Sequence, residues 1–162
     1  MSLIPRLFTL IGSAKSFQTT VRQAKESVAT VRTLTRDAQA AVVQNDWDKA
    51  CQGDPVAQNE MGERLAEGRG VPRDWESAVA WFQRSAAQGY PVAQCNLGMM
   101  LFLGRGTASD RIEGYKWISL AAEQGHAKAR EIRKKAAKKM LPEEIQESQA
   151  RMDGSRKTFR LR

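Results

Sequence analysis

Histidine and cysteine are nearly missing from this chain, with one and two copies in 162 residues. A lone His126 and two distant cysteines, Cys51 and Cys95, spell out no nucleophile–base pair and no metal-ligand cluster, so an enzyme is disfavoured and no cofactor is expected. No apolar run reaches the roughly 18 residues that a membrane-crossing helix needs. A secretory leader is poorly written as well, because Pro5 and Arg6 break the apolar run of Met1–Gly12. So few cysteines suit a reducing compartment, in which both would serve as small buried hydrophobes, and a cytoplasmic location is expected. Acidic residues are absent from Met1 to Lys25, whereas Arg6, Lys15, Arg22 and Lys25 are present. That composition also suits an organellar targeting segment or a helix lying on a membrane surface, and both readings stay open.

Charge is plentiful but uneven. The net charge is +8. Residues 1–52 carry 7 basic and 4 acidic side chains, residues 53–127 carry 7 and 9, and residues 128–162 carry 12 and 5. The basic character therefore belongs to the ends, mainly to the C-terminal one.

The centre of the chain repeats itself with a period of 36 residues. Pro55-Val56-Ala57-Gln58 returns as Pro91-Val92-Ala93-Gln94, and Gly62, Gly68, Arg69, Gly70 and Asp74 return as Gly98, Gly104, Arg105, Gly106 and Asp110. Trp81, Ala86 and Gln88 return as Trp117, Ala122 and Gln124, and a third copy opens at Gly125-His126-Ala127. A fixed period of this size marks stacked helix pairs, each burying its apolar face only against its neighbours. The spacing predicts helices near 55–67, 75–88, 91–103, 111–124 and 126–140, and a last one opening at Pro142. Asp74 and Asp110 are N-cap candidates, and Glu113 stands at the capping-box offset from Asp110. Gly68 and Gly104 end first helices where φ must turn positive. Small residues at Ala57, Gly62, Ala93 and Gly98 let a partner helix approach, while Trp81 and Trp117 supply bulk between layers.

These motifs resemble the Sel1-like repeat family, a relative of the tetratricopeptide repeat. Copy one supplies Ala57, Met61-Gly62, Leu65, Gly68-Arg69-Gly70-Val71, Asp74, Ala78, Trp81 and Ala86-Ala87; copy two supplies Ala93, Leu97-Gly98, Leu101, Gly104-Arg105-Gly106, Asp110, Trp117, Ala121-Ala122 and Gly125-His126. Copy two departs at Thr107, where Val is usual, and at Gly114, where Ala is usual; both departures are expected to loosen it. The resemblance implies an all-α fold, a short right-handed α-solenoid with an extra N-terminal helix and C-terminal capping helices. It implies a non-enzymatic scaffold or adaptor that binds protein partners, here as an accessory or assembly subunit of a larger complex. It also makes His126 a structural turn residue. Some cysteine-rich relatives pair cysteines eight residues apart, but here Cys51 would face Asn59 and Cys95 would face Ala87, so each lacks a mate.

The expected organisation is an amphipathic segment over 1–18, a long helix and partial capping unit over 19–52, repeats over 53–88 and 89–124, a partial third repeat and cap over 125–152, and a basic tail over 153–162. Within the long helix Val21, Ala24, Val28, Val31, Thr35, Ala38 and Val42 alternate by three and four, as in a heptad seam. Asp46 to Ala50 reads as a truncated unit, with Trp47 covering the open end of the array. From Ser148 onward the chain is expected to fray.

Three candidate surfaces follow. Copy one places Glu63, Arg64, Ala66 and Glu67 where copy two has Met99, Met100, Phe102 and Leu103. Exposed together, the latter four form an apolar patch suited to a partner segment, with Glu63, Arg64 and Glu67 as its solvated continuation; the alternative is that the chain's own N-terminal helix covers it. Leu3, Ile4, Leu7, Phe8 and Ile11 share one helical face and can pack on the array, dock on a partner or insert into a membrane surface. Lys128, Arg130, Arg133, Lys134, Lys135, Lys138 and Lys139 surround a terminal helix that is either simply solvated or holds an anionic partner. No stacking aromatics or recognition motif accompany them, so nucleic acid is disfavoured.

Overall fold

The computed structural model describes residues 14–160, which hold seven helices and no strand. They are α1 Ala14–Cys51, α2 Pro55–Glu67, α3 Trp75–Ala87, α4 Pro91–Leu103, α5 Arg111–Glu123, α6 Ala127–Ala137 and α7 Pro142–Arg160. Two compact units share the chain, residues 1–42 and 43–162. The described part of the first is helical throughout. No glycine or proline falls between Ala14 and Cys51, so nothing separates the expected long helix from the truncated unit at 46–50.

In the second unit α2 packs on α3, α3 on α4, α4 on α5, and α5 on both α6 and α7. The caps form as the sequence requires. Asp74 and Asp110 accept the backbone N–H groups of Ser77 and Glu113 at 3.1 and 2.9 Å. Glu113 does not complete the capping box, because its carboxylate pairs with Lys116 and approaches Arg151 at 3.7 Å. Pro55 opens α2 behind an unforeseen cap, Asp54, whereas Tyr90 ahead of Pro91 caps nothing with its side chain.

The core runs as overlapping layers. Ala78, Val79, Phe82 and Ala86 of α3 interlock with Ala93, Leu97, Met100 and Leu101 of α4. Cys95 of α4 then packs with Ile118, Ala121 and Ala122 of α5 and Ala129 of α6. Burying a side chain the size of Leu97 or Ile118 contributes about 1.5–3 kcal/mol, so these layers hold the array together. At the other end Ala50, Ala57, Met61 and Trp81 form one cluster, and Trp47 stands edge-on to Trp81 with ring centroids 5.5 Å apart while staying partly exposed.

Three expectations need correction. Gly114 does not loosen copy two: its backbone meets that of Gly98 so closely that a Cβ on either residue would lie 2.7 Å from the other's carbonyl oxygen. Cys51 is exposed rather than buried, because it ends α1 where the turn opens to solvent; Cys95 alone is a core residue. Over the described residues 148–160 the chain does not fray, for α7 continues to Arg160 and buries Ser148 and Met152 one turn apart. Arg151, between them, reaches Asp110 and Glu113 at the start of α5 at 3.6 and 3.7 Å.

A candidate protein-binding cleft

A ladder of side-chain amides fixes the register of the second unit. The carbonyls of Ala50, Ala86 and Ala122, spaced by the repeat period, accept from Gln58 Nε2 at 3.2 Å, Gln94 Nε2 at 3.4 Å and Arg130 Nε at 3.5 Å. Gln88 Nε2 then donates to Gln58 Oε1 at 2.8 Å, and Gln124 Nε2 to Gln94 Oε1 at 2.7 Å. Gln58 and Gln94 are buried, and a buried amide left without partners costs on the order of 1–3 kcal/mol, so each repeat is obliged to dock in one position. The signal was present in the sequence as identical glutamines one period apart. The end of α1 thus supplies the carbonyl that a preceding repeat would have offered.

His126 belongs to the same scaffolding. Its Nδ1 accepts the Ala129 N–H at 3.2 Å and caps α6.

Beside this ladder the residue differences between copies open a cleft of about 380 Å³, lined by Glu63, Glu67, Trp75, Asn96, Met99, Leu103, Arg105 and Lys128 among others. Leu103 is 57% exposed at its rim. A smaller apolar trough of about 160 Å³ shares Met99 and Leu103 and continues over Phe102, Ile118, Ile132 and Ala136, with Lys135 and Lys139 at its edge. The four residues of the expected patch are therefore not exposed together. Met100 is 8% exposed and belongs to the core, because it faces α3; Phe102 is half-buried against the cluster of Tyr115, Ala136 and Met140. Leu103 is exposed, and Met99, like Phe102, is half-buried at the cavity surface.

The residues expected to be plainly solvated are held too. Arg64 donates through Nε and Nη2 to Asp46 Oδ2 at 3.2 and 2.8 Å, so it ties α2 to the end of α1 instead of facing a partner. Glu63 Oε1 accepts from Asn59 Nδ2 at 3.1 Å and Asn96 Nδ2 at 3.0 Å, and Asn96 Nδ2 also lies 3.0 Å from Asn59 Oδ1. These two buried amides set the Glu63 carboxylate in the cleft wall. Glu67 is exposed and pairs with Arg69 at 2.6 Å.

Trp75 is the functional candidate that sequence reasoning missed. It is an exposed aromatic at the first position of α3, where copy two has Arg111, so periodicity does not mark it. Its Nε1 donates to Ala66 O at 3.0 Å, and the guanidinium groups of Arg73 and Arg105 each lie 5.7 Å from its ring. Rigid aromatics of this kind anchor interfaces.

The basic residues over 128–139 have different surroundings. Lys128 borders the cleft and Lys135 and Lys139 the trough, whereas Arg130 joins the ladder and Lys134 pairs with Glu131 at 3.2 Å. Arg133 is half-buried and Lys138 exposed. Leu3, Ile4, Leu7, Phe8 and Ile11 lie outside the described residues. Among the described residues no helix is long and apolar enough to cross a membrane, and no three of His, Cys, Asp and Glu gather to hold a metal.

Stacked helix pairs joined by an internal ladder define this chain as a helical-repeat solenoid. Residues 55–90 and 91–126 each match the Sel1 repeat, so the chain carries two tandem Sel1 repeats. A protective antigen of uropathogenic Escherichia coli with an SLR fold superposes with a TM-score of 0.67 at 21% identity, over 89% of this chain and 33% of that one. A Sel1 repeat protein from Oxalobacter formigenes gives a TM-score of 0.52 at 33% identity, over 62% of this chain and 44% of that one. The chain thus spans less than half the length of either. Comparison with curated proteins gave no significant match. Sel1 repeats typically serve as non-enzymatic scaffolds for protein–protein interaction.

Proposed function

We propose that this chain is a protein-interaction adaptor, an accessory or assembly subunit of a larger complex, which holds a partner segment in the cleft between α2, α4 and α6. The observation that carries the reading is Leu103. It is a large aliphatic side chain 57% exposed on an otherwise well-packed helix, where the cleft and the apolar trough meet. Contiguous apolar surface rimmed by charge, such as Leu103 makes with Met99 and Trp75, marks a binding surface. Trp75 and Met99 supply further apolar contact, the one rigid and the other adaptable. Glu63 and Glu67 of α2 and Lys128 of α6 line the same cleft, and Lys135 and Lys139 the adjoining trough, so a bound segment meets charges of both signs.

The test is affinity capture from native extract with the wild-type chain and with Leu103→Glu. Loss of a stoichiometric partner with an almost unchanged unfolding midpoint supports the cleft, because an exposed substitution should stay within about 0.5 kcal/mol. Retention of the partner by Leu103→Glu refutes it. Met100→Glu, at a buried position, serves as the contrast and should destabilise strongly.

A further inference from the structure

The first unit holds an apolar seam that the cleft does not use. Val21, Val28, Thr35 and Val42 occupy the a positions of a strict heptad, and Ala24, Val31 and Ala38 the d positions. All seven are exposed. The one polar member is already satisfied, since Thr35 Oγ1 donates to Val31 O at 2.7 Å, so a partner meets no unpaired hydroxyl there. A spacing of 3.5 residues keeps such a seam facing a second helix along its whole length, and alanine at d allows that helix to approach closely.

The flanks are unlike. Arg22, Lys25, Arg32 and Arg36 run down one side of the seam at helical spacing, in the b and e positions. Among the described residues Arg22 pairs with Glu26 at 2.9 Å. The g positions on the other side hold Ser27, Leu34 and Ala41, with no charge.

We propose that this face docks an acidic amphipathic helix of a different protein, its apolar stripe on the valine–alanine seam and its carboxylates against Lys25 and Arg32. A second copy of this chain does not match. Packed antiparallel, it would set Lys25 and Arg32 against basic residues of the same kind. Packed parallel, it would offer them only the neutral g positions, with no anion in reach. A membrane surface fits less well too, because helices that lie on lipid carry bulky apolar side chains and basic residues across the polar face. Here the seam is small and one flank alone is basic.

The experiment uses the full-length chain and two synthetic helical peptides, each about four heptads long with Leu and Ile at the core positions. One carries Glu beside the core and the other Lys; binding is followed by fluorescence anisotropy. The Glu peptide should bind at least about tenfold more tightly than the Lys peptide, the difference expected when one charged contact is reversed. Lys25→Glu with Arg32→Glu should reverse that preference, and Val28→Asp should abolish binding of both peptides while the unfolding midpoint is kept. Equal binding of the two peptides, or a preference that the double variant leaves unchanged, overturns the proposal. So does self-association in light scattering that Val28→Asp removes, which would identify a second copy. Pelleting with anionic phosphatidylserine vesicles that needs Lys25 and Arg32, with neither peptide bound, would identify lipid and overturns it as well.

Discussion

Gly98 of α4 and Gly114 of α5 meet backbone to backbone, each at the distance where the other could carry no side chain. A Cβ at Gly98 would also lie 2.6 Å from Ile118 Cγ1, and one at Gly114 would lie 2.7 Å from Phe102 N. Alanine gains about 1 kcal/mol over glycine in a helix interior. Here the obstacle is largely backbone, which cannot step aside, and overpacking a well-filled core costs about 1–3 kcal/mol. Gly114→Ala, which restores the residue usual in the repeat, should therefore destabilise the protein, as read by denaturant unfolding. A stabilised variant would show that the two helices can part at little cost.

The two thiols should differ in reactivity. Cys95 has no exposure, and burial pushes its thiol above the usual range, only partly opposed by the positive charge of Lys128. Since the thiolate is the reacting form, Cys95 should resist alkylation until the array unfolds, whereas exposed Cys51 should react at once. Titration with a thiol reagent at neutral pH should count one fast group, and a second only in denaturant. Two fast groups would mean that α4 opens readily.

Removing a rung of the amide ladder should weaken the joint between repeats. Gln94→Ala deletes the donor to Ala86 O and the acceptor for Gln124, and leaves a cavity at a fully buried site. A loss of about 2–4 kcal/mol is expected from the unpaired groups and the lost packing together. Gln52→Ala, on the exposed turn after α1, is the neutral control. Equal midpoints for the two variants would remove the ladder as a source of register.

Asp74 should make stability depend on acid. Hydrogen bonds from the Ser77 hydroxyl and backbone N–H hold its carboxyl below the usual carboxylate range. A group depressed in the folded state contributes stability that is complete above its unfolded value, about 3.9, and is lost as the pH falls through the folded value. The unfolding midpoint of Asp74→Asn should therefore fall less than that of the wild type between neutral pH and the acid range. Parallel curves would mean that the cap carries no proton linkage.

The helices and their caps could be read from the sequence because they depend on neighbours. Pro55 and Pro91, Asp74 and Asp110, and Gly68 and Gly104 act within a turn or two of their own positions, and a 36-residue period shows each of them twice. The cleft was legible only in part. Contrasting the copies pointed to Met99 and Leu103, but it could not separate them from Met100, which packs on α3. Arg64 likewise looked solvated, because its partner Asp46 lies eighteen residues back on a helix whose approach no local rule dictates.

Composition and period by themselves determined that this protein is an array of helix pairs, since a pair with one apolar face has only its neighbour to bury it against. Which side chains stay available was decided by tertiary structure alone. The close approach at Gly98 and Gly114, the carbonyl that Ala50 offers to Gln58, and the burial of Ser148 and Met152 all depend on how separate helices come together. Exposure is a property of what lies across a helix face, and that is known only once the helices have met.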